Sequence, residues 1–210
     1  MNLLKITLLC MIYAQVESAP MPRKSPDTAF RFLMEGNQRF VNDQSTHPNR
    51  AVERRQETAE LQEPFAIILG CADSRVSPEI IFDQGIGDLF VVRVAGNVMG
   101  PITLDSIEYS ALYLHSTLIM VLGHESCGAV AAVLQGRTQD IENVASLIQP
   151  AIEESKTQAG NRLENAIKDN VKNVVKQLSK TPVLSKLIAE KKIKIVGGYY
   201  NFHSGEVELL

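Results

Sequence analysis

Three side chains able to ligate a metal stand at two glycine-bounded turns. Cys71 lies in Gly70-Cys71-Ala72-Asp73-Ser74-Arg75, and His124 and Cys127 lie in Gly123-His124-Glu125-Ser126-Cys127-Gly128. Two thiolates and an imidazole form a strong set for zinc, and three protein ligands leave a fourth position for water, as catalytic sites require. Cys127 falls where a helix is expected to begin, and the helix dipole there favours the thiolate over the thiol. On its own, His-x-x-Cys is a moderate signal. The convergence that would build a metal site would equally bring Cys71 to Cys127 for a disulfide, the default for two cysteines in an oxidising compartment. Asp73 and Arg75, two residues apart, read either as a carboxylate held for function by a guanidinium or as a local ion pair on a loop.

For these turns to meet, the segments before them must be neighbours. Phe65 to Leu69 is a short, continuous apolar run ending at Gly70, and Leu118 to Leu122 is another ending at Gly123. Such runs are expected of strands buried on both faces of a parallel sheet. Leu89 to Val94 reads as a strand between them, and Ile193 to Tyr200 as a fourth. Val207 to Leu210 reads as an antiparallel edge strand after the turn at His203-Ser204-Gly205. Between the strands, Pro78 to Phe82 reads as a short helix, and Pro101 opens one carrying Leu104, Ile107, Ala111 and Leu114 at helical spacing. A further helix begins near Cys127. Leu163, Ile167, Val171, Val174 and Leu178 form one helical stripe, and Leu184 to Ala189 a shorter helix.

Ser25-Pro26-Asp27 starts an N-terminal helical arm that carries Phe30, Leu33, Met34, Phe40 and Val41 on one face, broken by His47-Pro48-Asn49. A polar stretch then runs to Glu63. The alternation predicts an α/β domain with about four parallel strands, an antiparallel C-terminal edge strand and flanking helices. Ligand crevices in such sheets open at the carboxyl ends of the strands, where both cysteine-bearing turns fall.

The bulk composition narrows the function classes. With 210 residues, 45% hydrophobic content and a formal net charge of -3, the chain suits one globular domain and gives no electrostatic case for nucleic acid. The lysines between Lys168 and Lys194 alternate with apolar residues as on solvated helix faces. Lys5, the apolar run Ile6 to Ala14 and the small residues near Ser18 read as a secretory signal peptide over residues 1–18, cleaved after Ser18. That run is shorter than the roughly 20 residues of a membrane span. The remaining domain, 19–210, would then be periplasmic or secreted without membrane attachment, and Cys10 would leave with the leader. Gly85-Ile86-Gly87 lacks a third glycine and precedes a strand, so it reads as a turn, not a dinucleotide loop. Only three residues separate Cys71 from Arg75, too few for a phosphate-wrapping thiolate loop. His47, His115 and His203 read as structural or surface residues without acidic company.

Cys71-x-Asp73-x-Arg75 followed by His124-x-x-Cys127 is similar to the paired signature of the β-class carbonic anhydrases. Leu33-Met-Glu-Gly-Asn-Gln-Arg-Phe40 resembles the N-terminal helix of that family, and Arg93-Val-Ala-Gly-Asn97 the segment after its second strand. Ala72 replaces the serine often found between the cysteine and the aspartate. The chain has no Trp, so no regulatory site built on Trp carries over. The resemblance implies one zinc ion per chain on Cys71, His124 and Cys127. It implies reversible hydration of carbon dioxide to bicarbonate and a proton by attack of zinc-bound hydroxide. Asp73 would accept the hydroxide's hydrogen bond, Arg75 would hold Asp73 ionised, and Asp73 could become a fourth zinc ligand in a closed state. Gln62, two residues before Pro64, matches a glutamine that reaches the partner subunit's active site, and with Gly128 it is implied in substrate binding. The family also implies a homodimer, extendable to a tetramer, with the N-terminal helix packing across to the neighbour. A related zinc hydrolase acting on carbonyl sulfide or carbon disulfide, and an exported protein stapled by a Cys71–Cys127 disulfide, are the alternatives.

Overall fold

The computed structural model describes residues 23–210; the expected signal peptide lies outside them. Five strands form one sheet: β1 (Ala66–Gly70), β2 (Leu89–Arg93), β3 (Leu118–His124), β4 (Lys194–Tyr200) and β5 (Val207–Leu209). Their spatial order is β2-β1-β3-β4-β5, with three parallel pairings and an antiparallel β4–β5 edge. Among the described residues eight α-helices accompany them: α1 (Pro26–Val41), α2 (Val52–Glu57), α3 (Pro78–Ile81), α4 (Pro101–Tyr109), α5 (Gly128–Leu134), α6 (Glu142–Glu154), α7 (Arg162–Leu178) and α8 (Pro182–Ala189). Among the described residues no helix is long and apolar enough to cross a membrane.

The apolar strands are buried on both faces because the sheet is covered on both. Ile68, Met120 and Leu122 pack with Ala29 and Leu33 of α1 and with Ile81 and Phe82. Their neighbours Ile67, Leu69, Ile119 and Val121 point the other way, against Ile107 of α4, Val171 and Val174 of α7 and Leu184 of α8. Gly123 lets α7 approach the end of β3. A Cβ there would lie 2.6 Å from Val171 Cγ2.

The helix starts follow their cap chemistry. Ser25 Oγ accepts from the Thr28 amide at 3.2 Å with Pro26 at the first helical position, and Thr181 caps α8 by accepting from the Leu184 amide. α1 ends at Val41, sooner than the His47-Pro48 break; Asn42 caps it and Asp43 turns the chain with φ of 54°. The expected helix after Pro101 stops being regular at Tyr109. Residues 110–114 widen into a π-type turn that closes when Ser116 Oγ meets Ser110 Oγ at 2.9 Å and donates to Pro64 O at 2.7 Å. α2 and α6 have no counterpart in the sequence reading. α2 buries no residue, and α6 contains Pro150, which masks its periodicity.

Two buried polar residues fasten α1. Asn37, fully buried, donates from Nδ2 to Ile81 O at 3.1 Å and Gly205 O at 2.9 Å, and its Oδ1 accepts from the Val207 amide at 3.0 Å. Asp83 accepts from Arg39 Nε at 2.6 Å and from the amides of Thr46 and His47, both at 2.9 Å. Burial pushes the Asp83 carboxyl up, but the bonds from Arg39, Thr46 and His47 outweigh it and bring it down to about 2. His47 therefore does have an acid beside it, contrary to expectation, although its side chain is exposed.

Asn37→Ala leaves buried partners unsatisfied and should cost about 3 kcal/mol, read from urea denaturation. A carboxyl whose folded pKa is depressed stabilises the fold above its unfolded pKa, and that contribution fades as pH falls from about 4 towards 2. Thermal melts across this window should show less acid sensitivity in Asp83→Asn than in the native chain, from a lower starting stability.

Candidate metal centre

β1 and β3 run parallel with Gly70 opposite Leu122, so Cys71, one residue past β1, emerges beside His124, the last residue of β3. The chain then turns through Ser126, whose φ is 54°, and Cys127 becomes the N-cap residue of α5. The ligand atoms of Cys71, His124 and Cys127 all lie within 4.8 Å of one another, and all three residues are buried. Both cysteines are free thiols, their sulfurs 4.0 Å apart. That is about twice a disulfide bond length, and close to the roughly 3.8 Å that two 2.3 Å zinc–sulfur bonds subtend at a tetrahedral angle.

His124 supplies the clearest test of metal fit. Its ring is fully buried, and Nδ1–H donates to Glu125 O at 2.8 Å, which leaves the lone pair on Nε2. Nε2 is buried without a hydrogen-bond partner. An orphaned imidazole nitrogen beside two thiols fits a borderline-soft divalent cation such as zinc. The Cys71 sulfur is prepared for charge as well. The Gly96 amide donates to Cys71 Sγ at 3.3 Å. The hydrogen bond from Cys127 brings the Cys71 thiol down against the cost of burial, with the backbone at Asp73 and Gly96 assisting. The same bond, and burial, push Cys127 up. A bound dication would favour the thiolate form of both sulfurs.

Gly96 is glycine for two reasons. Its φ is +69°, and a Cβ would lie 2.7 Å from Ile148 Cδ1. Asn170 Nδ2 holds its carbonyl at 2.8 Å.

At the rim, Asp73 is gripped from three directions. Arg75 Nε reaches Oδ1 at 2.9 Å, Arg75 Nη2 reaches Oδ2 at 2.8 Å, and the Arg75 amide reaches Oδ1 at 3.0 Å. The Arg75 side chain thereby holds the Asp73 carboxyl well below the usual carboxylate range. Asp73 Oδ2 lies 3.9 Å from His124 Nε2, so the carboxylate borders the cluster while paired to Arg75.

The other predicted site residues lie differently. Gly128 begins α5 with open space where a Cβ would stand. Gln62 is exposed and precedes β1, at the opposite end of that strand from Cys71; within one chain it does not join the cluster. Two supports went unrecognised in the sequence. Arg93, quoted only within a segment resemblance, donates from Nε to Cys71 O at 3.0 Å and from Nη2 to Asp73 O, fixing the loop that carries both. His203, expected to lack acidic company, has Glu125 Oε2 at 3.1 Å from Nδ1. Each pair is far apart in the chain, beyond the reach of local spacing.

Residues 66–207 match a family model described as carbonic anhydrase. A carbonic anhydrase of Mycolicibacterium smegmatis is 38% identical over 196 residues, covering 90% of this chain and 95% of the relative. Carbonic anhydrase 2 of Mycobacterium tuberculosis is 39% identical with the same coverage. Among solved structures, a Coccomyxa β-carbonic anhydrase in complex with acetazolamide superposes with a TM-score of 0.67 at 26% identity, covering 85% of this chain and 84% of that one. A tetrameric β-carbonic anhydrase of Sordaria macrospora gives 0.70 at 24% identity, covering 86% and 96%.

If the cluster holds zinc, Cys71→Ser, Cys127→Ser and His124→Ala should each bring bound zinc from about one per chain to near zero after dialysis, read by elemental analysis. Arg93→Ala should retain zinc and weaken it by roughly tenfold or more in chelator competition, as loss of an outer-shell support does.

Proposed function

The chain belongs to the β-class carbonic anhydrase family, enzymes that interconvert carbon dioxide and bicarbonate, and we propose that its activity runs through a zinc ion held by Cys71, His124 and Cys127. The observation that carries this reading is the buried, unpartnered Nε2 of His124 beside two free cysteine sulfurs. Zinc bound there would supply a water acidified enough to act as a nucleophile near neutral pH.

The chain's own residues then do the positioning. Glu125 O fixes the His124 tautomer that offers a lone pair. Arg75 keeps Asp73 ionised, so Asp73 can accept the hydrogen of the nucleophile and turn its lone pair towards carbon dioxide. A protonated carboxyl would compete as a donor; the Arg75 pairing keeps Asp73 an acceptor. Gly128, with nothing where a side chain would project, leaves room for carbon dioxide to approach beside Cys127. Were Asp73 released from Arg75, its oxygen already stands close enough to His124 to turn inwards as a fourth ligand.

The assembly is proposed as a homodimer in which Gln62 completes the partner's site, a role suited to its exposed position away from its own cluster. Ile102 and Tyr113, at 78% and 70% exposed, leave apolar surface available for association. Export to the periplasm or medium is proposed from the leader pattern of residues 1–18.

Stopped-flow carbon dioxide hydration should be present in the zinc-loaded protein and lost with chelation. Two thiolates offset the formal charge of the metal, so activity should rise from neutral towards alkaline pH. Asp73→Asn should lower kcat/KM by about 10²-fold with zinc retained, within the span expected of a positioned polar group. Inactive zinc-loaded protein across that pH range would overturn the reading, and faster turnover of carbonyl sulfide in a parallel assay would reassign it.

A further inference from the structure

Arg75 has more to do than its surroundings first explain. Its side chain is 55% exposed while that of Asp73 is 17% exposed. A long exposed arginine has many rotamers, and surface ion pairs hold such side chains only weakly. Yet Arg75 meets both carboxylate oxygens in a planar fork. Something must limit the guanidinium to that plane.

Phe202 lies under it. The Arg75 guanidinium carbon stands 4.2 Å from the centroid of the Phe202 ring, within the range of a cation–π contact. The other contacts of that ring fix where it sits. It lies 5.3 Å from the His124 ring and 5.6 Å, edge to face, from Tyr200. Its backbone is fastened to the metal loop, since the Phe202 amide donates to Glu125 Oε2 at 2.9 Å and the Glu125 amide donates to Tyr200 O at 2.8 Å. Asn201 Oδ1 closes the turn by accepting from the amides of His203 and Ser204 at 2.9 and 2.8 Å. Phe202 is therefore a rigid aromatic shelf, referenced to the same loop that carries His124 and Cys127.

We propose that Phe202 is a positioning residue of the reaction: its ring holds Arg75 in the plane that grips Asp73, and so keeps Asp73 turned away from the metal position. The inference rests on the function proposed above. An aromatic ring at 202 holds the guanidinium; an aliphatic side chain of similar bulk fills the space without attracting it. Phe202→Leu leaves Arg75 free to rotate, and Asp73 loses its paired orientation for part of the time. Phe202→Tyr keeps the shelf.

Two measurements on the zinc-loaded protein test this. In ¹⁵N NMR the Arg75 Nε–H should be slow to exchange with water and ring-current shifted. Phe202→Leu should abolish both features and Phe202→Tyr should preserve them. In stopped-flow hydration, Phe202→Leu should lower kcat/KM by about three- to tenfold, the fold-range of a partly exposed cation–π contact, and Phe202→Tyr should restore it. In an Arg75→Ala background, Phe202→Leu should add almost nothing. The proposal is overturned if the Arg75 signal is the same in native and Leu variants. It is equally overturned if Phe202→Leu is additive with Arg75→Ala, or if its loss of rate follows only a loss of zinc. A native chain without hydration activity would defeat the proposed function, while the NMR comparison would still decide whether Phe202 holds Arg75.

Discussion

Gly70 stands opposite Leu122 in the parallel pairing of β1 with β3, and that alignment decides whether Cys71 and His124 leave the sheet at the same edge. Strand residues point to alternate faces, so a slip of one residue would move each side chain by about 3.3 Å and reverse its face. The cluster, with its ligand atoms within 4.8 Å of one another, does not survive such a slip. What holds the register is burial on both faces of the sheet. Ile67 and Ile68 face opposite cores, as do Ile119 and Met120, and either residue would lose its packing if the strands shifted. The cluster of Cys71, His124 and Cys127 thus depends on apolar packing some distance from it.

The centre itself sets polar and ionisable groups into an otherwise apolar third cluster, with Val98, Val130, Ile148 and Ile167 around Cys71 and Cys127. Burying charge there is costly unless each group has a partner. The protein meets that cost mostly with backbone groups and with one arginine side chain. Gly96 N–H serves one sulfur, Glu125 O serves the imidazole, and Arg93 secures the carbonyls of Cys71 and Asp73. His124 Nε2 alone is left without a partner among these groups. A cation bound there would take up that lone pair and let both sulfurs ionise, so its binding free energy would add to the stability of the folded state.

Much of this arrangement is legible in the sequence, for a physical reason. Strands buried on both faces must be continuously apolar, which made β1 and β3 readable as runs. α7 could be read because Leu163, Ile167, Val171, Val174 and Leu178 repeat at helical spacing. α6 was hidden, since Pro150 in its interior looks like a break, and α2, with no buried residue, leaves no apolar pattern. At the site, Cys71, Asp73, Arg75, His124 and Cys127 stand out because metal and charge chemistry restricts their types. Arg93, Asn37 and Phe202 do not. An arginine, an asparagine and a phenylalanine occur anywhere, and what distinguishes these three is contact across long separations in the chain. Asn37 and Arg93 fall within segments that resemble the family, but their tertiary contacts are not written in local spacing, and Phe202 carries no local mark at all.

Those contacts also join parts of the molecule that the chain order keeps apart. Asn37 of α1 holds Gly205 O and the Val207 amide, and so fixes the turn that leads from β4 into β5. The same turn carries Phe202, which touches both Arg75 and His124, while Glu125 binds the turn back to the metal loop. α1 is thereby connected to the Asp73 carboxylate through one asparagine, one turn, one aromatic ring and one arginine, with each step made by direct contact. Packed cores transmit displacement because they have little free volume to absorb it. Asn201 and Glu125, which close that turn and anchor it, are therefore links between α1 and Asp73.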